Sequence, residues 1–277
     1  MTIQILGTAA AEGWPAVFCG CKTCERAREA GGKNIRTRQS VQIDKIFKID
    51  LPPDTHYHQF KFGLKLSELK HLFITHSHED HLALNELHYL RPPFAHNLSN
   101  APVKIYGNRA VIGAVNSLLS KADLPLETIV LTPFEPVHAD HLIFVPVPGC
   151  HVPNETCFTY VVQSAGSTVL FAWDTGLYPE ESLGYLCGLC FDAVIVECTQ
   201  GTLDMPPTYH MGFEGVRTFR DTLAKSGAVN PKTRFVLTHF SHNIGLLHDE
   251  FSEIAKAENM EIAWDGMIID VPSTRYL

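Results

Sequence analysis

Short apolar segments alternate with longer amphipathic segments along most of this chain. Several of the short segments are continuously apolar, as expected for strands that are covered on both faces. The predicted strands are Thr2–Leu6, Ser40–Ile43, Ile46–Ile49, His71–Thr75, Val103–Tyr106, Leu142–Val147, Phe158–Gln163, Thr168–Ala172, Ala193–Glu197, Arg234–Leu237, Glu261–Ala263 and Met267–Asp270.

Helical spacing is clearest in three amphipathic segments, Arg109–Ala122, Gly212–Ser226 and Ile244–Glu258. Gly166 and the pair Asp265–Gly266 suit hairpin turns between neighbouring predicted strands. Many strands mixed with helices over the whole length predict an α/β (α+β) fold. We expect a four-layer αββα sandwich, with two sheets inside and helices outside, forming a single domain over residues 1–277.

Composition and charge argue against two classes of function, binding to long nucleic acid and insertion into a membrane. The chain has 277 residues, of which 45% are hydrophobic, and 22 basic against 30 acidic side chains give a formal charge of −8. This acidic balance disfavours binding to long nucleic acid. The N-terminal residues lack a secretory pattern and no apolar run approaches the ~20 residues of a membrane helix. We therefore predict a cytoplasmic protein without membrane association. A homodimer is compatible with the sequence.

One histidine-rich segment carries the strongest chemical signal. In His71–Leu82 a short apolar strand runs into H-x-H-x-D-H, and a helical pattern follows. His76 and His78 are two residues apart, so an extended loop can direct both at one ion, whereas Asp80 and His81 lie where the chain turns and can serve a second ion. Imidazole and carboxylate ligands suit Zn²⁺, Mn²⁺ or Fe²⁺. The alternative, a polar loop that caps a helix, does not require so many ligand types together.

This motif resembles that of the metallo-β-lactamase superfamily, whose later ligands follow strand ends. Candidates stand at such places in PGCHVPN (His151), FAWDTG (Asp174) and VLTHFSH (His239). The resemblance implies two divalent metals, Mn²⁺ or Zn²⁺, one held by His76, His78 and His151 and the other by Asp80, His81 and His239, with Asp174 bridging them. Two close cations lower the pKa of water and stabilise negative charge on a phosphoryl or carbonyl oxygen.

A second cluster, FCGCKTC, places Cys19, Cys21 and Cys24 within six residues. Three thiols at this spacing make a partial zinc site, and His242, three residues after His239, is the candidate fourth ligand. Reduced thiols in a loop are the alternative. A disulfide between such close neighbours is less plausible in the predicted compartment.

The loop GTAAAEGWP before this cluster, together with the later H-x2-H, resembles the cyclic phosphodiesterases of phosphonate catabolism (PhnP-like proteins). It is also similar to the pyrroloquinoline-quinone B proteins. The resemblance implies one structural Zn²⁺ held by Cys19, Cys21, Cys24 and His242, in an N-terminal zinc loop at about residues 19–24.

His210 is the candidate general acid. It stands at the start of a predicted helix in a segment, HMGF, that resembles the phosphodiesterase branch, where this histidine faces the metals. It would protonate the leaving oxygen, with Asp80 orienting it. A surface histidine at a helix start is the alternative.

Together these features predict a dinuclear metal-dependent hydrolase that cleaves a small phosphodiester, best a cyclic nucleotide or cyclic ribose phosphate. A glyoxalase II-like thioesterase could use the same seven ligands, although the cysteine site and His210 argue against it. An RNA-processing nuclease would need a basic region to hold a long RNA. A non-hydrolytic cofactor-pathway protein, like quinone B, would keep the fold and the structural zinc.

Overall fold

The computed structural model describes residues 1–271 as two seven-stranded sheets with helices outside them. The single-domain prediction also covers residues 272–277, which lie outside the described residues. The strands are β1 (Thr2–Gly7), β2 (Ser40–Ile43), β3 (Phe47–Ile49), β4 (His71–Phe73), β5 (Val103–Gly107), β6 (Leu126–Val130), β7 (Val137–Ala139), β8 (Leu142–Pro148), β9 (Phe158–Ser164), β10 (Ser167–Ala172), β11 (Ala193–Glu197), β12 (Arg234–Thr238), β13 (Met260–Ile262) and β14 (Ile268–Asp270).

Seven α-helices are found among the described residues, and most pack on the outer faces of the sheets. They are α1 (Lys22–Ala30), α2 (Thr55–Phe62), α3 (Leu84–Leu87), α4 (Arg109–Leu119), α5 (Glu180–Cys187), α6 (Phe213–Ser226) and α7 (His248–Lys256). The helix predicted from Ile244 begins only at His248, because Gly245 adopts a left-handed conformation with φ of 74° that ends the preceding turn.

The two sheets have the same number of strands, and each contains four neighbouring strands that run parallel. The first has the order β14-β1-β2-β3-β4-β5-β6 and the second β13-β12-β11-β10-β9-β8-β7. Strands β3 to β6 run parallel in the first sheet, and β10 to β13 run parallel in the second. The predicted αββα layering, with two sheets inside and helices outside, is confirmed.

The hairpin predicted around Asp265–Gly266 is wrong. The two strands that flank this turn belong to different sheets, because β13 pairs with β12 and β14 pairs with β1. Gly266 still makes a tight turn, with φ of 94°, and a Cβ there would lie 2.6 Å from the ring of Phe62. The turn therefore carries the chain from one sheet to the other rather than back along the same sheet.

Aromatic side chains fill the space between the sheets. Phe73 of the first sheet stacks on Phe144 of the second, with ring centroids 3.8 Å apart, and on Tyr106, at 4.2 Å. Phe73 and Phe144 are fully buried, and truncating such a ring to alanine typically costs about 3–5 kcal/mol of stability. This packing sets the two sheets at a fixed distance and so fixes the edge at which their loops meet.

Separate apolar clusters bury the inner faces of the helices. Val111 and Val115 of α4 pack on the outer face of the first sheet, and Val216, Phe219 and Phe251 from α6 and α7 pack on that of the second. Within residues 1–271, no helix has both the length and the apolar character needed to cross a membrane.

Candidate metal centre and active site

The polar residues predicted as ligands meet at one edge of the sandwich. Strand β4 leads to His76, β8 to His151, β10 to Asp174 and β12 to His239. These strands all end at the same edge, which is where ligands bind in open sheets of this kind. Topology thus gathers side chains that are up to 163 residues apart in sequence (239 − 76).

The first set consists of His76, His78 and His151. One ligand atom from each lies within 4.8 Å of the others, and Nε2 of His151 is 3.4 Å from Nδ1 of His78. His76 is fully buried and burial lowers the pKa of its ring, which favours the neutral form that binds metals. This grouping is the one the sequence resemblance implies.

The second set consists of Asp80, His81 and His239, whose ligand atoms also lie within 4.8 Å of one another. Asp174 lies between the two sets. Its Oδ2 is 2.8 Å from Nε2 of His81 and 3.0 Å from Nε2 of His239, whereas its Oδ1 is 3.6 Å from Nε2 of His151. The two carboxylate oxygens therefore face different sets, as a bridging ligand requires.

The donor atoms fit divalent cations. Nε2 of His81, Nε2 of His239 and Oδ2 of Asp174 are buried and close together, yet none makes a hydrogen bond of normal geometry, and the same holds for Nε2 of His76. Buried polar atoms of this kind are costly unless another partner satisfies them. Nitrogen and carboxylate donors that converge in this way suit Zn²⁺ or Mn²⁺.

Each buried ligand ring is oriented by a hydrogen bond at its other nitrogen. The hydroxyl of Thr75 lies 3.0 Å from Nδ1 of His76, and the hydroxyl of Thr199 lies 2.9 Å from Nδ1 of His239. The ring positions leave Nε2 to face the centre in both cases. Such outer contacts fix the tautomer and the direction of a metal ligand.

Asp50 is a functional candidate that the sequence reasoning missed. Its Oδ2 accepts hydrogen bonds from Nδ1 of His81 and from Nε1 of Trp173, both at 2.7 Å, and its Oδ1 accepts one from the backbone of Thr75 at 2.8 Å. Asp50 directly follows the buried strand β3. This is the same signal that marked the predicted ligands, namely a polar residue at the end of an apolar strand.

Three of these residues adopt a left-handed backbone conformation that is uncommon for side chains other than glycine. The φ angles are 62° at Asp50, 52° at Asp174 and 58° at His239. Such conformations persist where the surroundings hold them, and they concentrate at functional sites.

His210, the candidate general acid, lies beside this centre. Its ring centroid is 4.8 Å from that of His151 and 5.8 Å from that of His239. Its Nδ1 contacts both oxygens of Glu197, at 3.2 and 3.1 Å. Glu197, rather than the predicted Asp80, therefore orients the ring, and Asp80 acts on it only through its charge.

The environment of His210 favours its protonated form. Burial lowers the pKa of the ring, but the carboxylate of Glu197, by its charge and its hydrogen bond, outweighs burial and raises the pKa to about 9. Glu197 itself is fully buried and also accepts bonds from the backbone N–H groups of Thr175 and Met211 and from the hydroxyl of Thr199. A buried carboxylate with so many donors is rigidly held.

An open cavity of about 440 Å³ gives access to the centre. Its walls include ligands from both sets, His210, Glu12 from the loop after β1, and Asn243 from the loop after β12. Nδ1 of His210 is engaged by Glu197, so Nε2 is the nitrogen that a substrate in this cavity can reach.

The cysteine cluster also forms. Nδ1 of His242 is 3.5 Å from Sγ of Cys21 and 3.8 Å from Sγ of Cys19, and the ligand atoms of the four residues, with Cys24, lie within 4.8 Å of one another. A backbone N–H from Cys24 and the ring of His242 lower the pKa of Cys21 to about 6, which favours the thiolate. Three sulfurs and one imidazole fit a closed tetrahedral zinc site.

Comparison with known proteins supports the fold. A family model described as a beta-lactamase superfamily domain matches residues 49–240. A crystal structure of a new diphosphatase from the PhnP family superposes with a TM-score of 0.76, at 22% identity over 98% of both chains.

Zinc-bound PqqB from Methylobacterium extorquens gives a TM-score of 0.74, at 16% identity over 98% of this chain and 100% of that one. Human tRNase Z, short form, gives 0.67, at 20% identity over 98% of this chain and 100% of that one. No curated protein sequence matches the chain significantly. At such identities these structures show a shared fold.

Proposed function

The chain belongs to the beta-lactamase superfamily, and on that premise we propose that it is a dinuclear metal-dependent phosphodiesterase acting on a small cyclic phosphodiester. A cyclic nucleotide or a cyclic ribose phosphate is the substrate class we favour. The observation that carries the proposal is the position of His210. Its ring is hydrogen-bonded to the buried Glu197 and lies beside two sets of metal ligands in an open cavity.

The residues divide into two metal sets that share one carboxylate. His76, His78 and His151 would hold one ion, Asp80, His81 and His239 the other, and Asp174 would bridge them. We propose Mn²⁺ or Zn²⁺ for this pair, with a further Zn²⁺ at Cys19, Cys21, Cys24 and His242. When bound, two such cations lower the pKa of water and stabilise charge on a phosphoryl oxygen.

The protein's own part in the reaction is proton donation and orientation. Water adds its oxygen to phosphorus and releases one proton to solvent, and the bond from phosphorus to the departing alcohol oxygen breaks. That oxygen takes the proton from Nε2 of His210, which solvent then reprotonates. Glu197 keeps Nδ1 of the ring protonated and holds the ring in place. A phosphodiester with a poor leaving group needs such an acid. A thioester does not, because its sulfur leaves as a thiolate without prior protonation.

A substrate panel tests the proposal. Protein loaded with Mn²⁺ or with Zn²⁺ is assayed against a bis-aryl phosphate, 2′,3′-cyclic nucleotides and a glutathione thioester. We expect hydrolysis of the phosphodiesters. Cleavage of the thioester alone would replace the proposal with a glyoxalase II-like thioesterase, and no turnover of any compound would favour a non-hydrolytic role.

The matched control for this assay is Asp174→Asn. This variant removes the charge that lies between the two ligand sets but nearly keeps the shape of the side chain. If a trace contaminant caused the turnover, wild type and variant preparations would show equal rates. A large loss in the variant assigns the turnover to this centre.

A further inference from the structure

The residue between two ligands of the first set, Ser77, is held by a carboxylate from a distant loop. The backbone N–H of Ser77 donates to Oε1 of Glu155 at 2.8 Å, and its hydroxyl donates to Oε2 at 2.6 Å. Ser77 separates His76 from His78, so these two bonds fix the short segment from which both ligands project.

Glu155 belongs to the loop that also carries the third ligand of this set. The loop runs from the end of β8 to the start of β9 and includes His151 four residues before Glu155. It is tied to the ligand segment again where the backbone N–H of Phe158 donates to the carbonyl of Thr75, at 2.9 Å. Glu155 therefore connects the two loops that supply all three histidines.

A third segment completes the arrangement. Asn108, which caps helix α4 and is 4% exposed, donates from Nδ2 to Oε1 of Glu155 at 2.7 Å and to the carbonyl of Thr156 at 2.9 Å. Its Oδ1 at the same time accepts the backbone N–H of Val111. The carboxylate is thus anchored to a helix whose inner face is packed against the first sheet.

All three groups that face Glu155 are donors, and only a carboxylate accepts from all of them. An ionised carboxylate has two acceptor oxygens and no donor, whereas a glutamine amide presents an NH₂ group at one end. In Glu155→Gln at least one of the three bonds must be lost or reversed. Bonds to an ionised acceptor are also stronger than those to a neutral one.

We propose that Glu155 is a positioning residue for the metal held by His76, His78 and His151, because it fixes the relative position of the two loops that carry them. Its carboxylate bonds to Ser77 and Asn108 and is not part of the wall of the cavity at the centre. The proposal rests on the metal pair of the proposed function but not on the substrate, so a failure of the phosphodiesterase assay leaves it standing.

The test follows ¹¹³Cd²⁺ bound to wild type, Glu155→Gln and Ser77→Ala by NMR titration. Couplings between cadmium and imidazole protons assign each resonance to one ligand set. Glu135→Gln, on an exposed turn, is the control that removes the same charge elsewhere. We expect roughly ten- to hundred-fold weaker cadmium binding at the three-histidine set in Glu155→Gln, the usual effect of losing an outer contact of a metal ligand.

An effect on one ligand set and not on the other distinguishes a positioning residue from a residue with a general structural role. Binding at Asp80, His81 and His239 should change little in Glu155→Gln, and the double variant with Ser77→Ala should lose less than the sum of the single losses, since both break the same contact. Equal weakening of both sets, or a lower melting temperature with unchanged cadmium affinity, overturns the proposal. Should Glu155→Gln not fold, Ser77→Ala alone decides by the same criterion.

Discussion

Nδ1 of His210 lies 3.1 Å from Oε2 of Glu197, a carboxylate that is fully buried. The side chain of His210 itself remains 27% exposed at the cavity. The pair thus joins a buried negative charge to a ring that substrate can reach. Its consequence is a histidine whose protonated form persists above neutral pH, which is the form that a general acid needs.

Replacing this carboxylate should change the pH dependence of the reaction. The protonated ring is the active form, and the negative charge of Glu197 favours it. In Glu197→Gln the pKa of His210 falls from about 9 toward its ordinary value of 6.5. The alkaline limb of the kcat profile for a 2′,3′-cyclic nucleotide should therefore move to lower pH, whereas an unmoved limb would show that Glu197 does not set the protonation of the acid.

Asp174→Asn should reduce the metal content of the catalytic centre. The carboxylate has one oxygen toward each ligand set, and an amide offers only one oxygen and no charge. We expect the number of metal ions retained at the centre to fall from two to one or fewer. Metal analysis after dialysis measures this. The zinc proposed at Cys19, Cys21, Cys24 and His242 does not use Asp174, so it should be retained and serves as an internal reference.

Cys21→Ser should lower the zinc content by about one equivalent, because a closed zinc site needs all four ligands. His242 and His239 lie on the same loop after β12. Loss of the zinc at His242 should therefore also weaken metal retention at the catalytic centre. Cys190→Ser, at an exposed thiol, is the matched control. Unchanged zinc stoichiometry in Cys21→Ser rules out the structural zinc.

Asp50→Asn should weaken the hydrogen bond that orients the ring of His81. The substitution puts an NH₂ group, or a weaker neutral acceptor, against the donors of His81 and Trp173. We expect roughly ten- to hundred-fold weaker binding of the ion held by Asp80, His81 and His239. Competition with a chelator measures this affinity, and Asp123→Asn, at an exposed residue, controls for the lost charge. Equal affinity in both variants would exclude a role for Asp50 in holding this ion.

The sequence pointed to the candidate ligands because their signals are local, whereas their division into two sets came from the resemblance to the metallo-β-lactamase superfamily. His76 and His78 lie within one short segment, and His151, Asp174 and His239 each follow an apolar strand. Strands β6 and β7 escape the prediction because no residue of β6 is fully buried and only one residue of the short strand β7 is. The hydrophobic pattern of a sequence gives only a weak signal for a strand that lies at the edge of a sheet and is partly covered.

The roles of the supporting carboxylates could not be assigned from the sequence. Asp50 carries the same strand-end signal as the ligands but has no ligand motif beside it, Glu197 stands as the last residue of a predicted strand, and Glu155 is a single acidic residue in a loop. Their partners are 13 residues away for Glu197 and His210, 31 for Asp50 and His81, and 78 for Glu155 and Ser77. Contacts over such distances depend on strand order, which the order of elements along the chain does not specify.

The central claim, that His210 supplies the leaving-group proton, is tested most directly by kcat of His210→Ala on two phosphodiesters. An alkoxide leaving from a 2′,3′-cyclic nucleotide needs a proton, whereas a nitrophenolate leaving from a bis-aryl phosphate does not. With metal content equal to that of wild type, and His138→Ala as an exposed control, kcat on the cyclic nucleotide should fall by roughly 10²–10⁴-fold and that on the aryl ester far less. Wild-type turnover of the cyclic nucleotide, or an equal loss on both substrates, would contradict the account.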